Sequence, residues 1–333
     1  MADEAQPEER AQTRKALRDA VSASLYAPSI LNTQPWRWSL RGTRLELIRD
    51  PDRRLEAVDP SGRMAMISCG TALHHVRVTL AARGHAVSVR RLPAGDPADL
   101  LATLEITGSA DASAGDVELA RAIRHRRSDR RPIVATSRVD DGVIAALAAA
   151  ATREGSTLFR VGDTERPYLG TAVDEAQRTE QSDPAYHREL AAWTVRRPSG
   201  GGVSFESLVS PVPRPVAVRD FADDGETGLF PGFGDDRFAD YLIVATSSDT
   251  PADRLRAGEA TSAVWLTATA RDLAMSVMSD VVEVPATRSL ISRLLADRAE
   301  PQLVLRTGPQ GQPVPPPPAS HRALDEVLDE DPS

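Results

Sequence analysis

Apolar positions recur at helical spacing along some stretches of the chain and alternate along others, and the two periods divide it into elements. "RKALRDAVSASLY" reads as a helix that stops before Pro28, because proline disfavours helical backbone in the residue ahead of it. Residues 1–12, in front of it, read as a charged and frayed start. "WRWSLRGTRLELIRD" alternates on both sides of Gly42 and reads as a hairpin. "RMAMISCGTALHHVRVTLAARG" puts Met66, Leu73, Val76 and Leu80 on one helical face and closes at Gly84, a C-terminal cap. "HAVSVRRL" and "LLATLEITG" follow as strands.

A second run of elements begins near Gly115. "DVELARAIRHR" is helical, "RSDRRPIV" extended, "DDGVIAALAAAATREG" a capped helix and "STLFRVGD" a strand. "RPYLGTAVDEAQRTE" and "PAYHRELAAWTVRR" are helices. Residues 198–234 then make a Gly- and Pro-rich loop of about 37 residues, a length usual for a lid or a binding arm. "RFADYLIVATS" is a buried strand, and "RLRAGEATSAVWLTATARDLAM" a helix with Ala263, Leu266, Ala270 and Leu273 on one face. "PATRSLISRLLAD" is a short helix, "PQLVLRTG" a last strand, and "PQGQPVPPPPAS" an extended arm. The implied division is residues 1–114, 115–308 and a Pro-rich tail, 309–333. The helix–loop–strand rhythm of "LRDAVSASLYAPS" and "WRWSL" returns in "VIAALAAAATREG" and "STLFRV", with too few shared letters to establish a duplication.

Composition narrows the class. The 333 residues are 41% hydrophobic and 26% charged, as in soluble globular proteins. A formal charge of −8 and a pI near 5.4 argue against nucleic acid or an anionic membrane as partner. No apolar run approaches a membrane span, and "MADEAQPEER" is unlike a signal peptide, so a cytoplasmic location is expected. A single cysteine, Cys69, excludes an internal disulfide and a multi-cysteine metal site, and reads as a small buried hydrophobe. His74 and His75 point apart on their helix and cannot share a metal. HExxH, CxxC, GxSxG and GxGxxG are all absent, and "SGGG" at 199–202 lacks the lysine of a phosphate loop.

Two constellations carry chemistry. In "RHRRSDRRP", an extended backbone puts Arg126, Ser128 and Arg130 on one side and Arg127 and Asp129 on the other. Two guanidiniums flanking a hydroxyl make a phosphate receptor, the plain alternative being a solvated basic run. In "LYAPSILNTQPWRWSL", Asn32 and Gln34 each offer a donor and an acceptor, matching the edge of a heterocycle. Pro28 and Pro35 stiffen that loop, and the plain reading of Trp36 and Trp38 is core.

These residues resemble a known family. "APSILNTQPW" is similar to the APSxxNxQPW signature of FMN-dependent nitroreductases, and "RRSDRRP" to the RRSxR segment that grips the FMN phosphate there. "DPSGRMAMISCGTALHHVRVTLAARG" and "LRAGEATSAVWLTATARDLAMSVMSDVVEVPATR" look closer to the actinobacterial Acg branch, and the resemblance runs over roughly residues 14–325. It implies an α+β, nitroreductase-like fold of two similar halves in one chain, with mixed sheets flanked by helices. Ordinary members are dimers with FMN at the interface; the branch resembles such a dimer fused into a monomer. Here the first half keeps the APS loop and the second keeps the arm, which leaves parts for one FMN per chain.

The resemblance also implies roles. Arg126 and Ser128, with Arg127 between them, would bind phosphate or ribityl oxygens, and Arg130 would sit near the pyrimidine carbonyl. Pro28, Ser29 and Asn32 would line the ring with Gln34 beside them, and Ser279 and Asp280 would face flavin N5. Asp280 departs from the small or Glu-Gly pair usual there. Only His321 and Arg322 remain where the family has a basic C-terminal phosphate contact. The implied activity is electron transfer from NAD(P)H through FMN to a small acceptor such as a nitroaromatic or a quinone, without a catalytic side chain. The competing reading is a protein that sequesters FMN, with Phe205, Phe221, Phe230 and Phe233 of the 198–234 loop folded over the ring.

Overall fold

In a computed structural model the described residues are 2–93, 99–194, 200–221 and 226–331, so the 198–234 loop lies outside them at 198–199 and 222–225. The last residues of the expected "PAYHRELAAWTVRR" helix, 195–197, also lie outside. Helix α1 (Ala2–Ser24) begins well before residue 13, so the acidic start is helical rather than frayed. A hairpin follows as expected, β1 (Trp36–Arg41) and β2 (Arg44–Arg49), turned at Gly42, whose φ of 57° suits glycine. Then come α2 (Arg63–Ala82), β3 (His85–Arg91) and β4 (Leu100–Ser109).

The second half opens with α3 (Ala114–His125), started by a capping box between Ser113 and Asp116, and α4 (Asp141–Arg153). Strand β5 (Thr157–Arg160), α5 (Arg166–Gln181) and α6 (Pro184–Thr194) precede the long loop. Strand β6 (Asp240–Thr246), α7 (Pro251–Thr269) and β7 (Leu273–Met278) come next, then α8 (Asp280–Glu283), α9 (Pro285–Leu294) and β8 (Glu300–Pro309). The tail, expected to be only extended, returns as α10 (Leu324–Val327) and β9 (Leu328–Glu330).

Two sheets result. One has five strands in the order β3-β4-β2-β1-β9, the other four in the order β5-β6-β8-β7. The first is mixed, because β9 lies parallel to β1; all pairs of the second are antiparallel. Taken as β1/β5, β2/β6, β3/β7 and β4/β8, the two sheets share one strand order, and α2 and α7 hold equivalent places between the second and third strands.

Helices α2 and α7 pack against each other at the centre of the molecule and are buried on nearly every side, as residues apolar or small all round require. Their closest approach is glycine on glycine. A Cβ on Gly70 would collide with the Leu255 carbonyl, and one on Gly258 with the Ile67 carbonyl. Trp36, Trp38 and Cys69 are fully buried in the core of the first half. Among the described residues no helix is long and apolar enough to cross a membrane.

Candidate functional site

The segment after α1 is strained. Leu31, Asn32 and Gln34 all have positive φ, 43°, 52° and 49°, where non-glycine residues cost about 1–3 kcal/mol each. Local bonds over-determine the shape. Asn32 N donates to Ser29 O at 3.0 Å, Thr33 N to Ile30 O at 2.8 Å and Gln34 N to Ser29 Oγ at 2.9 Å. Helix α2 fixes the loop from below: Ile30 N donates to Ser68 Oγ at 3.1 Å, and Thr71 Oγ1 donates to Pro28 O at 2.6 Å.

The arginine arm leaves α3 at Arg126 and runs beside edge strand β7, where Ser128 bridges Met275 and Asp129 N donates to Met275 O at 2.9 Å. Its register is set from behind. Arg306 of β8, fully buried, donates to the Asp129 and Arg131 carbonyls at 2.6 and 2.9 Å and pairs with Asp236 at 2.6 Å. Arg131 forks onto Asp129 at 2.9 and 2.7 Å. Asp129 and Arg131 therefore face the interior. Arg126, Ser128 and Arg130 face the other way, into a cavity, and Arg127 joins them there although alternation placed it opposite.

That cavity is the meeting place of the two halves. It contains about 1080 Å³ of empty space, the open solvent at its mouth included. Pro28 to Asn32 and the α2 residues Met64, Ile67, Ser68 and Thr71 come from the first half. The arm, Thr261, Trp265, Val277, Ser279 and Leu303 come from the second. Gly202, Val203, Ser204, Ser207, Arg219 and Phe221 from the long loop and Pro317 and Ala319 from the tail complete the wall.

Two of its cations lack a carboxylate partner among the described residues. Arg126 is buried over the Trp265 ring at 4.6 Å; it donates to Tyr26 O at 3.2 Å, and its Nη1 has no partner among the described residues. Burial, then Arg127, pulls its pKa down to about 9. Arg130 lies over the Phe221 ring at 4.4 Å; burial and then Arg219 lower it to about 10. Among the described residues neither forms an ion pair. A guanidinium out of water without a carboxylate is costly, so two on one cavity mark a place for an anion. The hydroxyls of Ser128, Ser279 and Thr261 make no hydrogen bond among the described residues, and that of Thr261 is buried. The site thus supplies cations, free hydroxyls and an apolar wall, the donor set for a phosphorylated, polar-edged ring.

Other expected site residues do different work. Asn32 Nδ2 donates to Gly202 O at 3.0 Å and Ser320 O at 2.8 Å, so its amide clamps the long loop and the tail. Gln34 is fully buried and does not reach the cavity; its Oε1 accepts from Arg322 N at 3.0 Å. Arg322 is spent on Asp50 at 3.2 Å and on the Trp36 and Glu326 carbonyls, which docks the tail rather than a phosphate. His321 stacks on Tyr26 at 4.8 Å outside the lining. Asp280 is buried, accepting from Gln177 at 3.1 Å, and stays behind Ser279. Of the four phenylalanines only Phe221 lines the cavity; Phe230 and Phe233 are exposed and meet edge to face at 5.6 Å.

Sequence reasoning missed Arg219, Thr261, Trp265 and Arg306 as parts of the site. A charge inside the apolar strand "PQLVLRTG" was the one available signal, for Arg306. Arg219 is held on the cavity wall by Glu180 at 3.1 Å and Glu283 at 2.6 Å. Burial, opposed by Arg219, raises Glu180 to about 8, with Glu283 and Asp280 adding to the rise.

No family model matches the chain. It is 35% identical over 319 residues to a Mycobacterium tuberculosis protein named "Putative NAD(P)H nitroreductase acg", covering 95% of this chain and 96% of that one. A second protein of that organism carrying the same nitroreductase description is 38% identical over 322 residues, 95% of this chain and 91% of the relative. Among solved structures, a Bacteroides fragilis nitroreductase with bound FMN aligns at a TM-score of 0.39 and 12% identity, over 62% of this chain and 95% of its own.

Proposed function

The chain belongs to the Acg-type NAD(P)H nitroreductase family, and on that premise we propose that it is an oxidoreductase that holds one FMN between its halves. The proposed reaction carries electrons from NAD(P)H to a small acceptor, a nitroaromatic or a quinone. The observation that supports the cofactor most is the pair of unpaired arginines, Arg126 and Arg130, on a cavity lined by both halves.

Arg126, Arg127 and Ser128 are assigned to the phosphate, for which the orphan Nη1 of Arg126 is a ready donor. Met64, Ile67, Val277 and Leu303 offer apolar side chains to a ring. Arg130 is assigned to the pyrimidine edge, where a fixed cation stabilises negative charge as it develops. FMN, when bound, supplies the hydride chemistry, and the protein supplies position and charge. Because the loop and the arm lie in one polypeptide, the reading extends to a monomer, a fused pseudo-dimer with one site, acting in the cytoplasm.

Purified protein loaded with FMN should hold about one flavin per chain by absorbance, and anaerobic NADPH should bleach it. Failure to take up FMN, or two per chain, overturns the site. A second reading, sequestration, is favoured by the wall that Gly202, Val203, Ser204, Ser207, Phe221, Pro317 and Ala319 add to the cavity and that Asn32 ties down. Its signature is bound flavin that stays oxidised under excess NADPH.

A further inference from the structure

The cavity has two cationic poles. Arg126 and Arg127 form one beside Tyr26 and Trp265; Arg130 and Arg219 form the other, both over the Phe221 ring, at 4.4 and 5.9 Å. Arg126 and Arg130 are four residues apart on the arm, up to about 13 Å in extended backbone. A cofactor with a single phosphate occupies one pole. At the other, one guanidinium suffices for the edge of a ring, and two are present.

We propose that Arg219 and Phe221 select the electron acceptor, favouring planar aromatic compounds that carry a carboxylate or a similar anionic group. This rests on the FMN reading above and names the substrate class for the same site. Phe221 offers a face for an aromatic ring. Arg219 gives both of its carboxylate contacts from Nη2, to Glu180 and Glu283, and among the described residues makes no hydrogen bond from Nε or Nη1. A further buried carboxylate, Asp280, stands near this pair and, with burial and Glu283, helps to hold a proton on Glu180 near neutral pH. With Glu180 protonated, Arg219 directly contacts one ionised carboxylate, Glu283, and Arg130 contacts none among the described residues, so the cations at this end of the cavity outnumber the carboxylates that touch them. A neutral acceptor gains the stacking alone; an anionic one gains both.

The test pairs two near-isosteric probes, 4-nitrobenzoate and 4-nitrobenzamide, titrated at pH 7 by quenching of tryptophan fluorescence, on FMN-loaded and FMN-free protein alike. Flavin uptake is scored separately by absorbance, so loss of the cofactor reading is seen on its own. The expected result is at least tenfold tighter binding of the benzoate. Arg219→Gln should bring the ratio near one with little change for the benzamide, and Glu180→Gln should preserve or widen the wild-type preference at pH 9, where wild type loses it. Equal binding of the two probes to wild type overturns the proposal, as does an unchanged ratio in folded Arg219→Gln. If Arg219→Gln does not fold, the Glu180→Gln comparison at pH 9 decides: matching wild-type and variant ratios overturn the proposal.

Discussion

The two halves share a strand order and a central helix, yet they bring opposite things to the cavity. The first half joins its β1 and β2 by a tight turn at Gly42 and gives the site a neutral, strained loop pinned to α2. The second half separates the equivalent strands β5 and β6 by about 80 residues, carrying α5, α6 and the long loop, and gives the site its arginines. The shared framework places two sheets back to back across α2 and α7. The departures from it make the chemistry, which is why one cavity draws unlike walls from like halves.

The largest effect comes from the seam itself. Gly258→Val would drive a branched side chain into the Ile67 carbonyl and the Gly70 Cα, and overpacking against rigid backbone costs about 1–3 kcal/mol or more. The expected outcome is a melting temperature lower by about 2–4 °C or more, or no soluble protein, by circular dichroism. Gly115→Ala, on exposed α3 with only Ser113 Oγ near the new methyl, should melt as wild type does. Equal melting of the two variants would mean that the halves are not locked through this crossing.

Acid should loosen the seam next. His74 of α2 reaches Ser262 of α7 at 2.8 Å, whereas His75 contacts Ala23 in its own half at 3.2 Å. Burial, then Arg77 and Arg153, pushes His74 down to about 3, and burial and Arg126 push His75 well below its ordinary range. Both imidazoles are neutral when folded and take a proton on unfolding, so stability falls as pH drops below about 6.5 and keeps falling toward 3. The slope is about 1.4 kcal/mol per pH unit per group, or about 2 kcal/mol each by pH 5. Glu180 works in the other direction: it keeps its proton when folded up to about pH 8, so stability falls as pH rises from about 4.5 to 8. Melting temperature against pH should therefore show two limbs. His74→Gln should flatten the acid limb and Glu180→Gln the alkaline one; parallel profiles would remove both assignments.

Ligand binding separates the halves more gently. Arg126→Ala, in the arm, removes a charge-assisted donor worth about 1.5–3 kcal/mol, so the FMN dissociation constant should rise about 10- to 100-fold in a fluorescence titration. Ser29→Ala, in the neutral loop, should change it several-fold at most. A larger loss from Ser29→Ala than from Arg126→Ala would reverse the division of labour between the halves.

Much of this was legible in the chain because local physics decides it. The hairpin at Gly42, the helix closing at Gly84 and the alternation that turns Ser128 and Arg130 away from Asp129 and Arg131 follow from short-range rules. Buried Trp36, Trp38 and Cys69 follow from apolarity alone. What the chain hid depends on distant partners. Asn32 and Gln34 read as ligands because an amide fits a heterocycle edge, but a backbone carbonyl satisfies the same amide. Arg322 read as a phosphate contact, yet Asp50, 272 residues away, claims it. Asp280 sits one residue past a cavity-lining serine, and the start of α8 turns it inward. Arg219, in a loop with no periodicity, acquires its place only through Glu180 and Glu283, on two separate helices.

The smallest expected effect tests the clamp that joins the halves above the cavity. Asn32 sits at φ 52°, so Asn32→Gly removes the side chain without adding backbone strain, where alanine would add it. Two hydrogen bonds are lost, to Gly202 and Ser320, each worth about 0.5–1.5 kcal/mol net. Both acceptors are backbone carbonyls of segments that cover the cavity, so the loss should appear as opening rather than unfolding. Trypsin and chymotrypsin should cut faster near residues 200–221 and 310–322 together, and bound FMN should leave several times faster with little change in melting temperature. Faster cutting in one segment alone would mean that the loop and the tail are held independently. The second half would then close its own cavity, and the neutral loop of the first would be wall and not latch.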